Sequence, residues 1–143
     1  MINQFIITSF KSVGLFMLNV SRTENRKNYP IQPNEFFKTE SSTIPWDAYD
    51  DLGIHVEYND NYICDAIEIN NKANPIFEGI EVLKIPFSSL IQQIKSFDKN
   101  IEEDEIGFVS YKLGFGIYAP EKNDFPDNPS EGVIVFNKNY YGN

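Results

Sequence analysis

The feature that most constrains the fold of this chain is the strict alternation of side chains near its middle. Residues 52–58 place an apolar side chain at every second position, which is typical of a strand with one buried face. A turn cluster occupies residues 59–61, and residues 62–69 form a second strand-like segment. The sequence therefore predicts an antiparallel hairpin, with His55 and Glu57 on the face opposite the apolar positions.

Helix signals precede each group of strands. Ser21 and Glu24 have the spacing of a capping box, and Pro30 ends that helix after about two turns. The second helix covers residues 88–97, because its apolar side chains fall on one stripe. That stripe consists of Leu90, Ile91, Ile94 and Phe97. Further strands are predicted at residues 5–10, 106–111, 113–119 and 132–137.

The two halves of the chain resemble each other in sequence. Residues 13–21 align with residues 80–88, and each segment ends at the serine where a helix begins. Residues 51–58 align with residues 112–119, and each contains a Leu-Gly pair that leads into a strand. Two stretches of similar composition can align this well without a duplication, so the repeat is a hypothesis.

The predicted fold class is α+β whether or not the repeat is real. We expect a largely antiparallel sheet with two helices on one face, in which residues 13–69 and 80–137 are candidate βαββ-like repeats. The length of 143 residues matches one domain, and 41% apolar side chains are sufficient for a core. Residues 1–143 are therefore treated as a single domain, in which the strands that begin at Leu52 and Leu113 occupy equivalent places.

Signals that direct a chain into or across a membrane are weak. The apolar N-terminus lacks the basic residues of a signal peptide, and Lys11 interrupts its apolar run. No apolar stretch approaches the roughly 18 residues of a membrane-spanning helix. Cys64 is the only cysteine, which excludes an internal disulfide and gives no indication of an oxidising compartment. The sequence therefore predicts a cytoplasmic protein that does not bind membranes.

Net charge is the strongest indication of what the chain binds. The sequence has 21 acidic and 12 basic side chains, a net charge of −9 and a pI near 4.5. Such a charge repels the phosphates of nucleic acids and of anionic membranes, and it accelerates encounters with basic proteins. The simpler alternative is that the acidic residues only keep the protein in solution.

Few residues have the chemistry of a catalytic site. His55 is the only histidine, and Glu57 is the side chain expected to orient it. Cys64 would approach His55 in the hairpin, but a single cysteine is far more often a core residue than a nucleophile. No serine beside His55 has a nucleophile signature. We therefore expect no catalytic site, no metal site and no cofactor, while an enzyme that uses His55, Cys64 or carboxylates stays an alternative.

Carboxylates form a cluster at Asp47, Asp50 and Asp51 and are concentrated in two further segments of the second half. They lack the spacing and the glycine of a calcium loop, and a solvated acidic rim or a surface for a basic partner explains them better. The second segment lies in a long connection, residues 120–130, and such connections are often functional. The residues predicted to bind a partner are Asp98, Glu102, Glu103, Asp104, Glu105, Glu121, Asp124, Asp127 and Glu131.

Three segments, residues 49–58, 75–79 and 113–120, together resemble bacterial immunity proteins. The chain looks like the small immunity proteins that are encoded beside polymorphic or contact-dependent toxins, and the likeness extends over residues 13–141. Its helix-then-hairpin order is also similar to that of the β-lactamase inhibitor protein, which binds another protein. The resemblance implies that the chain blocks the active site of a cognate toxin domain, often a basic nuclease. No binding residue is carried over, because these families share no fixed binding motif.

Three functional hypotheses follow. A protein-binding inhibitor is preferred, because a nuclease active site is basic and an acidic protein can compete for it. A small binding or scaffold module with another ligand is the second hypothesis, and an enzyme is the third. A toxin gene immediately upstream would distinguish the first hypothesis from the others.

Overall fold

The computed structural model describes residues 5–142 of the chain. Within that range it contains two helices and thirteen strands in two mostly antiparallel sheets, which confirms the predicted α+β class. Residues 1–4, where the apolar N-terminus starts, and residue 143 lie outside the described residues. The helices are α1 (Arg22–Asn28) and α2 (Phe87–Lys95). The strands are β1 (Phe5–Thr8), β2 (Ser12–Val13), β3 (Phe16–Met17), β4 (Asn34–Phe36), β5 (Trp46–Tyr49), β6 (Ile54–Tyr58), β7 (Cys64–Asn70), β8 (Pro75–Phe77), β9 (Ile80–Glu81), β10 (Glu102–Asp104), β11 (Gly107–Ser110), β12 (Phe115–Tyr118) and β13 (Gly132–Phe136).

Eight strands form the larger sheet in the order β10-β11-β12-β13-β7-β6-β5-β4, and every neighbouring pair is antiparallel. The first half of the chain supplies β4 to β7 and the second half supplies β10 to β13, so the order is mirrored about the pair β7–β13. The strands that follow Leu52 and Leu113 are β6 and β12, and each is third from an edge. This confirms the prediction that they occupy equivalent places in one sheet.

The smaller sheet is not predicted by the sequence analysis. Its order is β3-β2-β1-β8-β9, and the pair β1–β8 is parallel. Three of these strands have only two residues each, which is too short for a recognisable alternation of apolar and polar side chains. Strand β1 ends at Thr8 because Phe10 lies in the following turn, with a φ of +61°.

Helix α1 lies where the sequence predicts it. The Ser21 hydroxyl accepts a hydrogen bond from the Glu24 backbone N–H at 3.1 Å, which satisfies one of the donors that a helix N-terminus leaves free. The helix ends before Pro30, as predicted. Asn25 is fully buried and exchanges two hydrogen bonds with the backbone of Met17, 2.9 and 3.0 Å long. These two bonds attach the helix to β3.

Helix α2 packs an apolar stripe into the core. Phe87, Leu90, Ile91 and Ile94 are buried, and the last three belong to the predicted stripe. Phe97, the fourth predicted member, lies beyond the end of the helix and is 36% exposed. Because the helix begins and ends earlier than predicted, Phe87 takes the place of Phe97 in the buried stripe.

The two faces of the larger sheet have different environments. On the inner face, the side chains of Ile54, Val56 and Ile67 are fully buried in a core that also contains side chains from α2 and the smaller sheet. On the outer face, His55 and Ile134 are partly exposed. The alternation seen in residues 52–58 is therefore confirmed, and the outer face is accessible to a partner around His55 and Ile134.

Candidate functional site

The outer face of the larger sheet carries one row of side chains that crosses all eight strands. The cross-strand registers connect each member of the row to the next. Counted from the β4 edge, the row consists of Asn34, Ala48, His55, Glu68, Ile134, Gly116, Val109 and Glu102. It is polar on β6 and β7 and has no polar side chain on β13, β12 or β11. The outer face thus divides into a polar half and an apolar half.

A groove of about 610 Å³ lies over this face, and we call it the sheet groove. Val109, Gly116 and Ile134 contribute its apolar half, and Tyr118 and Tyr141 line it as well. Its volume lies within the range of roughly 300–1,000 Å³ that is usual for ligand-binding clefts. The groove is therefore large enough to accept several side chains of a partner or one small molecule.

Gly116 lies in the floor of the groove, and Gly107 is a buried glycine of the neighbouring strand β11. At Gly107 the φ is +152°, and a Cβ would lie 1.7 Å from the Ile117 carbonyl oxygen, so only glycine fits. At Gly116 a Cβ would lie 3.4 Å from the Cγ2 methyl groups of Val109 and Ile134, which is an ordinary contact. A larger residue at position 116 would therefore fill the groove without a clash against the backbone.

The fold brings the two predicted acidic segments together. The Ala119 N–H donates to the Ile106 carbonyl at 2.7 Å, and Lys122 forms an ion pair of 2.9 Å with Glu103. Because the Lys122 side chain is only 7% exposed, this pair holds the 120–130 connection against β10. Glu103 therefore already has a basic partner within the chain.

Three of the predicted carboxylates border the groove, and we call them the acidic rim. Asp104 and Glu131 line the groove, and Glu102 ends the row on β10. Within residues 5–142, none of the three takes part in an ion pair. Ile106 and Tyr118 also line the groove and are 53% and 49% exposed. The rim thus combines uncompensated negative charge with exposed apolar surface.

The other predicted carboxylates do not line the groove. Asp98 is buried and accepts hydrogen bonds from the Ser110 hydroxyl at 2.7 Å and from the Asn100 N–H at 2.9 Å. Both of its oxygens are therefore used inside the fold, as expected for a buried polar group. Four more of the predicted carboxylates are exposed and lie outside the groove, namely Glu105, Glu121, Asp124 and Asp127.

His55 lies on the outer face as predicted, with neighbours other than the expected one. Its Nδ1 is 3.7 Å from Glu68 Oε1, and its Nε2 is 3.9 Å from Asp50 Oδ1. Glu57 instead accepts a hydrogen bond of 2.6 Å from the Tyr140 hydroxyl. Directly opposed residues on neighbouring strands are closer than residues two apart on one strand. Glu68 therefore lies beside His55, in the position that the sequence analysis predicts for Glu57.

Burial and hydrogen bonds set the charge of the polar half. Burial raises the pKa of Glu57, and the hydrogen bond from Tyr140 offsets only part of this effect. Burial also opposes ionisation of Glu68, yet the neighbouring His55 and the hydrogen bonds from Lys38 hold its pKa below the ordinary value. Lys38 Nζ is 3.2 Å from Glu68 Oε2. The positive charge of Lys38 is thus directed at Glu68.

Cys64 is separated from His55 by the sheet. Its side chain belongs to the buried core, its Sγ is 3.7 Å from the Ala66 carbonyl, and burial raises the pKa of the thiol. The hairpin forms as predicted, but the two side chains lie on opposite faces and do not form a pair. Among residues 5–142, no three or more His, Cys, Asp or Glu side chains are grouped so that they could hold a metal ion.

The apolar residues of the sheet groove are the part of the site that sequence reasoning missed. The available signal is the sequence of β13, Gly132–Phe136, which is apolar without interruption. Continuous apolar runs are typical of strands that are covered on both faces. In this fold the core covers Val133 and Val135 on the inner face of β13. On the outer face Phe136 is buried against Tyr140 and Tyr141, while Ile134 is partly exposed.

Comparison of the chain with protein-family models, with curated proteins and with solved structures finds no match. In the part of the chain that the structure describes, no helix is long and apolar enough to cross a membrane. Function is therefore inferred from the groove, its rim and the charges around them.

Proposed function

We propose that this chain is a non-catalytic inhibitor that binds a basic protein domain. More narrowly, it is an immunity protein that neutralises a cognate bacterial toxin in the cytoplasm. The observation that carries the proposal is the acidic rim, Glu102, Asp104 and Glu131, which borders exposed apolar side chains and forms no ion pair within residues 5–142.

The rim and its apolar neighbours supply two different contributions to binding. Carboxylates steer a basic partner toward the surface and raise the association rate. Exposed apolar and aromatic side chains, here Ile106 and Tyr118, provide the desolvated contacts that slow dissociation. A surface that has both is suited to rapid and tight association with a basic protein.

A nuclease toxin fits this chemistry. Its active site must attract phosphates and is therefore basic, so an acidic protein competes with nucleic acid for the same surface. The net charge of −9 acts in the same direction over a longer range. The same charge disfavours nucleic acids and anionic membranes as partners of this chain.

A second candidate function is a small-molecule binding module, and the groove volume of about 610 Å³ favours it. The two functions respond differently to substitution. A small apolar ligand would be displaced by a side chain at Gly116 and would be insensitive to charge reversal in the acidic rim. A basic protein would lose affinity in both cases.

The test of the proposal is co-expression with the product of the adjacent gene. The test variant is Asp104→Lys/Glu131→Lys, and the matched control is Glu40→Lys/Glu78→Lys, which changes the net charge equally at exposed sites outside the groove. We expect the wild type and the control to protect the cells. The test variant should bind more weakly by about 1–3 kcal/mol, which is roughly 5-fold to 160-fold in Kd.

Two outcomes contradict the proposal. One is that the adjacent gene product kills cells with or without this protein and does not co-purify with it. The other is that both charge-reversed variants bind as tightly as the wild type. Salt gives an independent check, because steering by the rim predicts an association rate that falls steeply with ionic strength and a dissociation rate that hardly changes.

A further inference from the structure

The apolar half of the sheet groove lacks the polar side chains that a solvated sheet face normally carries. Antiparallel sheets with one wet face alternate apolar inward and polar outward positions. On β13, β12 and β11 the outward positions of the row are instead Ile134, Gly116 and Val109. Tyr118, on the neighbouring row, adds exposed aromatic surface. This composition indicates that another element covers the apolar half in a complex.

The backbone of these strands restricts what that element can be. Strands β11, β12 and β13 each have a hydrogen-bonded neighbour on both sides. They therefore have no unpaired backbone N–H and C=O groups with which an extended peptide could form a further strand. A peptide strand laid on this face would bury its own N–H and C=O groups without partners, which is strongly unfavourable. An α-helix satisfies its backbone internally and needs only an apolar stripe toward the sheet.

The dimensions of the groove fit a short helix. From Glu68 on β7 to Glu102 on β10 the row spans four strand spacings, or about 19 Å. A helix of about 13 residues has this length. Gly116 and Gly132 line the groove and carry no side chain, which lets a helix approach the sheet closely there.

The charges around the groove indicate that the polar face of that helix is basic. Within residues 5–142 no member of the acidic rim forms an ion pair, with Glu102 and Asp104 on β10 and Glu131 just before β13. Lys38, in contrast, is engaged with Glu68 at 3.2 Å. We propose that the sheet groove receives an amphipathic basic α-helix of the partner protein. This proposal rests on the proposed function, since it names the structural element of the basic partner that the inhibitor binds.

The proposal is tested with a synthetic helical peptide and the full-length protein. The probe is a 14-residue stapled helix, a length chosen to match the roughly 19 Å groove, with leucines on one stripe and lysines elsewhere. One matched peptide has the same composition with its leucines scattered around the helix, and another has glutamates in place of the lysines. Affinity is measured by fluorescence anisotropy, and the site is mapped by NMR shifts of the backbone amides.

We expect the amphipathic basic peptide to bind, with the largest shifts at Val109, Gly116 and Ile134. Gly116→Leu should fill the groove and weaken binding by about tenfold or more, since one displaced apolar side chain is worth about 1.5–3 kcal/mol. Ile134→Lys should weaken binding similarly and is independent of any effect of Gly116→Leu on folding. Gln92→Leu, which adds the same side chain to the exposed side of α2, should change the affinity less than about twofold.

Several results would overturn the proposal. The first is that the probe does not bind at concentrations up to about 1 mM, which means a binding free energy weaker than about −4 kcal/mol. The second is that the scattered or the acidic peptide binds as tightly as the probe. The third is that neither Gly116→Leu nor Ile134→Lys changes the affinity. These results are separate from the test of inhibition. If the peptide binds but the protein gives no protection, the groove proposal stands and the inhibitor proposal fails, and the reverse pattern rejects only the helix.

Discussion

The ion pair between Arg26 and Asp47 offers the sharpest test of the energetics described here. The Asp47 side chain is 0% exposed, whereas that of Arg26 is 27% exposed and also reaches Glu35 at 3.0 Å. The Arg26 Nε donates to Asp47 Oδ2 at 2.8 Å, and a second nitrogen donates to Oδ1. Replacing Arg26 thus leaves a fully buried carboxylate alone, while replacing Asp47 leaves a cation that still has solvent and Glu35.

We expect Arg26→Met to lower the free energy of unfolding by about 3–5 kcal/mol, the usual effect of removing one partner from a buried pair. Asp47→Asn should lower it by less than about 2 kcal/mol, because the amide still accepts a hydrogen bond from Arg26. The first value is a large part of the roughly 5–15 kcal/mol that stabilises a domain. The double variant Arg26→Met/Asp47→Leu should be more stable than Arg26→Met, because it removes the isolated charge.

Urea unfolding measures these differences directly. Trp46 is the only tryptophan and is buried next to Asp47, so its fluorescence reports on this part of the core. With a urea dependence of about 2 kcal/mol per molar, Arg26→Met should shift the midpoint down by about 1.5–2.5 M. A loss below about 1 kcal/mol, or an equal loss in Asp47→Asn, would refute the reasoning.

Three further predictions concern single residues. Because burial raises the pKa of Glu57 above its ordinary 4.5, the folded protein holds that proton more tightly than the unfolded chain. Stability should therefore fall as pH rises above about 4.5, and Glu57→Gln should flatten this part of the urea-derived curve. Gly107→Ala should destabilise by at least about 2 kcal/mol, whereas Gly116→Ala should stay within about 1 kcal/mol in thermal melts. Cys64 should react with an aromatic disulfide reagent only in molecules that have unfolded, because its thiol is buried. Labelling of the native protein as fast as that of the unfolded protein would contradict this burial.

The elements that sequence reasoning located are those in which local pattern and tertiary packing agree. Strand β6 has a clear period of two because one of its faces is buried, and α1 is marked by the Ser21 cap and Pro30. Strand β10 was missed because its sequence, Glu-Glu-Asp, reads as a loop. It is an edge strand, and edge strands are commonly charged because charge discourages pairing with other chains.

The candidate site was harder to predict because it is assembled from distant segments. All three members of the acidic rim, Glu102, Asp104 and Glu131, are among the nine carboxylates that the sequence predicts to bind a partner, and that binding stays a prediction. Its apolar neighbours were not found, because the row from Glu68 to Val109 exists only once β7, β13, β12 and β11 are paired. Register between strands far apart in sequence depends on the whole fold and leaves no local pattern.

The mirrored strand order also determines where this chain is vulnerable during folding. The central pair β7–β13 joins Ala66 to Phe136, residues separated by about half of the chain, so it must close a long loop and forms slowly. Until then the backbone N–H and C=O groups on one side of β7 are unpaired, and β13 of another molecule can pair with them. Such pairing leads to domain-swapped dimers. The outer edge at β10 is shielded by its carboxylates. We therefore expect misassembly in the middle of the larger sheet, at the pairing of β7 with β13, rather than at the β10 edge.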